Sequence, residues 1–372
     1  MVGSTDEDSD PAVDEPGSLD IGSRRFEVRR RLGRGGMGDV YEAFDRETGW
    51  TVALKTLRDL DGESLYRFKK EFRALADLAH VNLVRYGELH CENEQWFFTM
   101  ELVDGVDFHR YVRTDAASFA QLPNSVWTTE TLLAKPRSQP SCGSDNATVD
   151  VSPAFDEARL RASLAQLALA IDSVHAAGRV HRDIKPSNVL VCADGRVVLL
   201  DFGLVDDAEG VQAKGRLSGT PRYMAPEQVR GESVGPETDW YAFGVLLFRA
   251  LTGIEPFLGT NDDVLANKCR LAAPRVRSIV TGAPADLELL CQDLLERERW
   301  QRPSGGEILR RLGVADRRVV DGRLDAEDTW PFVGRSAELA ELERGFAESV
   351  AGATVPVLVS GEPGIGKSEL VR

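Results

Sequence analysis

HRDIKPSN, His181 to Asn188, is the stretch on which the interpretation of this chain turns. Asp183 offers a carboxylate that can orient and deprotonate an incoming hydroxyl. Lys185 puts a positive charge beside a transferring phosphoryl group, and Asn188 supplies an oxygen ligand for a hard metal ion. DFG follows at Asp201 to Gly203, where Asp201 can chelate Mg²⁺ bridging phosphates. Phosphoryl transfer needs in-line positioning and neutralised charge on the equatorial oxygens far more than covalent help. One base, a lysine and two metal-ligating side chains meet that need.

Upstream, GRGGMGDV (Gly33 to Val40) spaces Gly33, Gly35 and Gly38 as G-x-G-x-x-G. Such glycines let a backbone approach phosphate oxygens without a Cβ clash. The same spacing serves dinucleotide folds, but there a helix follows. Here the next segment reads as a strand and leads to VALK, so the dinucleotide alternative fails on context. Lys55 then stands in the middle of an apolar strand, a costly place unless it meets an anion. Glu71 on the following helix is the best-placed carboxylate to hold it. The competing interpretation of Lys55 is a surface lysine with its stem lying on the sheet.

FEVRRRL, GDVYEAF, WTVALKTL, LVRYGEL and QWFFTMEL are short runs rich in β-branched and aromatic residues, and predict five antiparallel strands. Between the third and fourth, Leu65, Phe68, Phe72, Leu75 and Leu78 recur at helical steps over 63–79. After 155 the chain turns helical. Leu160, Leu164, Leu167, Ile171 and Val174 share one face, with Asp156 as N-cap and Gly178 as the terminating glycine. Further helices are expected over 238–252, 262–271, 284–297 and 304–312. A β unit followed by a helical unit, joined near Glu101–Asp107, predicts a ligand cleft at the junction.

The chain has 372 residues, 28% charged and 42% hydrophobic, with a net charge of −15. About half of that charge sits in the first twenty residues. The remaining body is only mildly acidic, which argues against sequence-independent nucleic-acid binding. No apolar run is long enough to span a membrane, and the N-terminus lacks a secretory signal. Five dispersed cysteines without a C-x-x-C pair argue against a disulfide framework or a zinc site, so a cytoplasmic setting is expected. The domain plan is an acidic tail over 1–22, a core domain over 23–313 divided at 103/104, a linker over 314–330 and a further segment over 331–372. Residues 114–155, rich in Ser, Thr, Pro and Asn, form an insertion. It is either a solvated surface loop or a docking loop using Trp127, Leu132 and Leu133.

From about Phe26 to Gly313 these motifs resemble the eukaryotic-type (Hanks-type) Ser/Thr protein kinases, most of all their bacterial members. The resemblance implies an α+β bilobal kinase fold: a small five-stranded antiparallel β lobe with one main helix, then a larger helical lobe. It implies ATP and Mg²⁺ as cofactors and a protein Ser/Thr hydroxyl as acceptor. By that resemblance Asp183 is the catalytic base, with Lys185 and Asn188 beside it and Asn188 and Asp201 as metal ligands. Leu32, the three loop glycines, Val40, Ala53, Lys55, Glu71 and Leu190 would line the nucleotide. Met100 would be the gatekeeper, the main chain of Glu101 and Val103 would bond adenine, and Asp107 would reach the ribose. SGTPRYMAPE, Ser218 to Glu227, would be the peptide-docking loop, Glu227 would pair with Arg302, and Asp239 would brace the catalytic loop.

One departure from the family pattern stands out. Arg182 precedes the base, and such an arginine usually binds a phosphorylated residue in the activation loop. The matching position here is Arg216, and Leu204 to Leu217 holds no Ser, Thr or Tyr. Independence from that phosphorylation is expected, with Asp206, Asp207 or Glu209 neutralising Arg182 instead.

A second phosphate motif closes the chain. GEPGIGKS fits G-x-x-x-x-G-K-[ST] through Gly361, Gly366, Lys367 and Ser368, after a predicted strand VPVLVS. Together with WPFVGRSAEL it resembles the entry to AAA-like or signalling P-loop ATPases. With only four residues after Ser368, the segment is expected to be the truncated start of such a domain, making the chain the N-terminal part of a longer kinase–ATPase protein coupled to that region.

Overall fold

The computed structural model describes residues 23–34, 38–58, 62, 64–66, 68, 69, 72, 78–113, 154–200, 206–207, 220–314, 336–350 and 355–358. The acidic tail, most of the 114–155 insertion, the 315–330 linker and the Gly361–Ser368 motif lie outside these residues, as do Gly35, Glu71 and Asp201. The chain divides into two compact units, one containing residues 86–102 with the N-terminal strands, the other containing 103–314 and the segment before Tyr86.

The first unit is a five-stranded antiparallel sheet in the order β1-β2-β3-β5-β4. Its strands are β1 (Phe26–Arg34), β2 (Asp39–Asp45), β3 (Trp50–Thr56), β4 (Tyr86–Glu92) and β5 (Gln95–Glu101). Side chains alternate across a strand, so one face buries Phe26, Ala43, Val52, Leu54 and Phe97 as a small core. The other face carries Phe98, against which Phe68, Phe72 and Tyr86 stack with centroids 4.9, 5.6 and 5.2 Å away. Phe68 and Phe72 belong to the helical residues between 62 and 72, four apart and therefore on one side of that helix. Arg25 ties the sheet edge together, bonding Asp45 at 2.8 and 2.9 Å and Glu88 at 2.9 Å.

The predicted fourth strand begins at Leu83, but β4 begins at Tyr86. The reason is that the main chain at Leu83 and Val84 is committed elsewhere, to Leu199 in the second unit. Asn82 reinforces this by donating to Gln166 at 2.8 Å and to the Val197 carbonyl at 2.7 Å.

The second unit is built on helices α1 (Phe108–Val112), α2 (Glu157–Ala176), α3 (Pro226–Arg230), α4 (Pro236–Thr252), α5 (Asn261–Arg270), α6 (Ala285–Leu294) and α7 (Gly305–Arg311). Small sheets β6-β8-β9 and β7-β10 accompany them: β6 (Gly105–Asp107), β7 (Arg179–Val180), β8 (Val189–Cys192), β9 (Val197–Leu199) and β10 (Asp206–Asp207). Asp156 caps α2 by accepting from Arg159 N at 3.0 Å, and Gly178 at φ +71° closes the turn after it. Helix α4 is buried nearly all round, from Thr238 to Thr252, which makes it the core around which the others gather. A Cβ added at Gly244 would come within 2.7 Å of Leu294 Cβ, so glycine there lets α6 approach closely.

Helix α3 is anchored by a buried ion pair. Arg302 Nη1 and Nη2 reach Glu227 at 2.7 and 2.8 Å, and Thr238 donates to the same carboxylate at 2.9 Å. Burial pushes the Glu227 carboxyl up, but Arg302 outweighs it and holds the group below its ordinary value of 4.5. Helix α8 (Ser336–Val350) was not anticipated from sequence. Residues 355–358, predicted as part of a buried strand, form no strand, with Val357 and Leu358 exposed. Among the described residues no neighbouring strand meets their backbone groups, and an apolar run alone cannot make a sheet.

Replacing Arg302 with Met is expected to lower stability by about 3 kcal/mol, because Glu227 is left charged and buried. Urea unfolding of both proteins at neutral pH measures the loss. Adding Glu227→Gln should recover part of it.

Candidate active site

The loop from His181 to Asn188 leaves β7 and re-enters the fold at β8. Its shape is imposed from below by Asp239, on the first turn of α4 and fully buried. One carboxylate oxygen accepts from His181 N at 2.8 Å and meets His175 Nε2 at 2.8 Å; the other accepts from Arg182 N at 2.7 Å. Arg182 sits at φ +68°, a left-handed conformation that is strained for a residue carrying a Cβ. Two hydrogen bonds on consecutive amides are what keep it there. Burial pushes the Asp239 carboxyl up, yet His175 and the neighbouring donors hold it below its ordinary value of 3.8.

His181 is fully buried. Its Nδ1 accepts from Asp183 N at 3.3 Å, which assigns the ring proton to Nε2, donating to the Leu200 carbonyl at 3.0 Å. The imidazole therefore spans the loop and the end of β9, just before Asp201.

Asp183 then projects from the loop and is gripped from three sides. Lys185 Nζ donates to Oδ2 at 2.6 Å, Thr220 Oγ1 to Oδ1 at 3.2 Å, and Asn188 Nδ2 to Oδ2 at 3.2 Å. Asn188 also donates to the Asp183 carbonyl at 2.8 Å. With its amide N–H groups turned onto Asp183, Asn188 has its side-chain oxygen left for a hard cation, the ligand type magnesium takes. Pro186–Asn188 is a single 3₁₀ turn, so Lys185, just before it, and Asn188, its last residue, both reach the same carboxylate.

In the first unit, register decides which predicted residues share a surface. Gly33 pairs with Val40, Val40 with Lys55, Lys55 with Phe98 and Ala53 with Met100. Gly33, Val40, Ala53, Lys55 and Met100 therefore lie on one face of the sheet, and Lys55 is only 5% exposed. Gly38 has no room for a side chain: an added Cβ would fall 1.6 Å from the Thr56 carbonyl oxygen. Leu32 is exposed, at an irregularity between paired Arg31 and Gly33. Glu101 ends β5 opposite Val52.

Val103 follows in the second unit as irregular backbone. Asp107 pairs with Leu190 across β6 and β8 and caps α1, accepting from Arg110 N at 3.1 Å. Asp206 lies opposite Val180, bringing that acidic pair alongside the strand that precedes Arg182; the side chains of Asp206, Asp207 and Glu209 lie outside the described residues, as does Ser218.

Residues 26–312 match the family model for protein tyrosine and serine/threonine kinases. The chain belongs to that family. Among curated proteins it is similar to the serine/threonine-protein kinase PkaA of Streptomyces coelicolor, 30% identical over 355 residues, or 90% of this chain and 55% of the relative. It is 33% identical over 310 residues to the DNA damage-responsive serine/threonine-protein kinase RqkA of Deinococcus radiodurans, covering 82% and 41%. It is also 30% identical over 292 residues to the serine/threonine-protein kinase PknA of Mycobacterium tuberculosis, covering 76% and 58%. This chain spans about half the length of the relatives it matches. Residues 26–312 are a bacterial Hanks-type serine/threonine protein kinase domain, a family that uses ATP and usually Mg²⁺ on protein substrates. Among the described residues no helix is long and apolar enough to cross a membrane.

Two features of the kinase domain escaped sequence reasoning. His175 shares Asp239 with the loop, a contact that four-residue periodicity on α2 could not reveal. Lys268 is buried on α5. The available signal was its position four residues after buried Val264, on the same helix face.

Asp239→Asn should cost about 3 kcal/mol, since the new amide group presents donors to donors. The wild-type contribution is present above pH 3.8 and is lost as pH falls below it, because the folded carboxyl is depressed relative to the unfolded one. Urea midpoints at neutral and acidic pH should show the variant's deficit shrinking as acid is added.

Proposed function

We propose that this chain transfers the γ-phosphate of Mg-ATP to a Ser or Thr hydroxyl of a protein, with Asp183 as catalytic base. The observation that supports this most is the carboxylate of Asp183, held by Lys185, Asn188 and Thr220 in one orientation. A base held this way accepts the acceptor hydroxyl's proton without searching for its rotamer. Lys185 sits beside it as a fixed positive charge, suited to the charge that develops on the moving phosphoryl group. Thr220 links the base to the segment proposed to dock the acceptor.

The residues present fit a magnesium nucleotide. Asn188 commits its amide N–H groups to Asp183, which leaves its oxygen for a cation, and Asp201 follows β9 in sequence; these two are the proposed metal ligands. Bound magnesium would neutralise phosphate charge. The close approach of backbone at Gly38 suits a phosphate-covering loop, with Gly33 and Gly35. Lys55, buried on the face shared with Val40, Ala53 and Met100, is assigned to the phosphates, with Glu71 as its carboxylate. Leu32, Val40, Ala53 and Leu190 are assigned to the adenine, Glu101 and Val103 to its hydrogen bonds, and Asp107 to the ribose through the oxygen its helix cap leaves over.

We read residues 331–372, through Gly361, Gly366, Lys367 and Ser368, as the start of a P-loop ATPase domain coupled to the kinase, and 1–22 and 314–330 as its tail and linker. What supports this is the motif itself. A cytoplasmic setting suits an ATP-dependent enzyme in which, among the described residues, Cys91, Cys192, Cys269 and Cys291 form no disulfide.

Asp183→Asn is expected to cut transfer about a thousandfold. Incorporation of labelled phosphate from ATP into a generic basic protein measures it, and equal labelling by variant and wild type would sink the assignment.

A further inference from the structure

Lys268 is a lysine in the wrong place for an ordinary surface cation. It lies near the end of α5 with 1% of its surface exposed. Its ammonium donates to three main-chain carbonyls of one short strip: Pro221 at 2.8 Å, Arg222 at 3.3 Å and Met224 at 2.6 Å. Among the described residues no carboxylate pairs with it. Glu255, whose charge reaches it, is taken by Arg222, with Arg249 at 3.5 Å. A buried cation without a counter-ion is costly, and an apolar residue would fill the same space at less expense to the fold. What the ammonium adds is directional: three N–H donors for three carbonyls that would otherwise face a dry interior.

The strip so held begins at Thr220. Thr220 O accepts from Tyr223 N at 2.9 Å and Met224 N at 3.2 Å, while Thr220 Oγ1 donates to Asp183 at 3.2 Å. A continuous line of hydrogen bonds therefore runs from Lys268, through a tight turn, to the carboxylate of Asp183. We propose that Lys268 is a positioning residue, whose charged ammonium holds the 220–224 strip in the form that docks the protein acceptor. This rests on the kinase function proposed above and adds how its acceptor site is kept in shape.

The arrangement depends on protonation. A neutral amine has two donors and a lone pair, so one of the three carbonyls would lose its partner and face a repulsive neighbour. Burial pushes the Lys268 ammonium down from 10.5 to about 7, against the opposing pull of Cys269, Glu255 and Glu227. The other charged or titratable groups around it are Arg222 and Tyr223 in the strip, Arg230 on α3, and Tyr241 and Arg249 on α4. The Tyr241 ring centre is 5.7 Å from Nζ. Burial raises the phenols of Tyr223 and Tyr241 and the thiol of Cys269, so among these shifted groups Lys268 is the one brought toward pH 7.

The test uses the 372-residue chain with ATP and myelin basic protein as the acceptor probe. At about pH 6, Lys268→Met should raise KM for the acceptor about tenfold while KM for ATP stays within about twofold. Lys268→Arg, which keeps charge and donors, should restore most of the loss. Wild-type KM for the acceptor should climb between about pH 6 and pH 8.5, and the Arg variant should stay flat. If the Met variant does not fold, the contrast between wild type and the Arg variant in the pH profile decides. An unmoved acceptor KM in the Met variant, equal rises in both KM values, or the same climb in the Arg variant would overturn the inference alone. A wild-type chain that labels nothing would overturn the kinase function and this inference together.

Discussion

A single buried carboxylate, Asp239, sets the geometry on which the loop from His181 to Asn188 depends. It is fully enclosed, yet it is worth its desolvation because it accepts from two consecutive backbone amides and meets an imidazole as well. Those amides belong to His181 and Arg182, and the second is held at a positive φ that an arginine would not choose. Loosening that grip would let Arg182 relax to ordinary backbone angles and rotate Asp183 with it. Asp239 in turn is placed by α4, which is buried along nearly its whole length. The strain at the loop is thus balanced against the packing of a whole helix.

Around this anchor, acidic side chains of the same chemistry do quite different work. Asp239 is fully buried and supports the backbone through two consecutive amides. Glu227 is locked by Arg302 and Thr238 and fastens α3. Asp183 is held by side chains rather than main chain, and by donors that include a cation and a hydroxyl from a distant segment. Only the last combination leaves a carboxylate that is oriented and still partly open to solvent, with 14% of its side chain exposed. The distinction is one of partners and burial, and residue type alone does not supply it.

The sheet unit follows a similar logic with different means. Its ladder register brings Gly33, Val40, Ala53, Lys55 and Met100 to one face, although they come from four strands and span most of the unit. Backbone spacing at Gly38 admits no Cβ because the Thr56 carbonyl is already there. Strand β4 begins late because Leu83 and Val84 belong to the helical unit, where they bond Leu199. Alternating hydrophobicity located that strand, but it could not tell which partner its first residues would take.

Residue identities and short spacings by themselves pointed to the kinase family, which the match over residues 26–312 bears out. HRDIKPSN, the glycine loop and the lysine strand are local patterns, legible because the residues that mark each of them stand only a few positions apart. The helices with clear three- and four-residue periods were equally plain, since their burial pattern is written along the chain. Tertiary structure alone decided where Lys268 points, that His175 joins Asp239, and that residues 355–358 make no strand. Each of those outcomes depends on groups contributed from far along the chain, and burial among distant neighbours has no local signature.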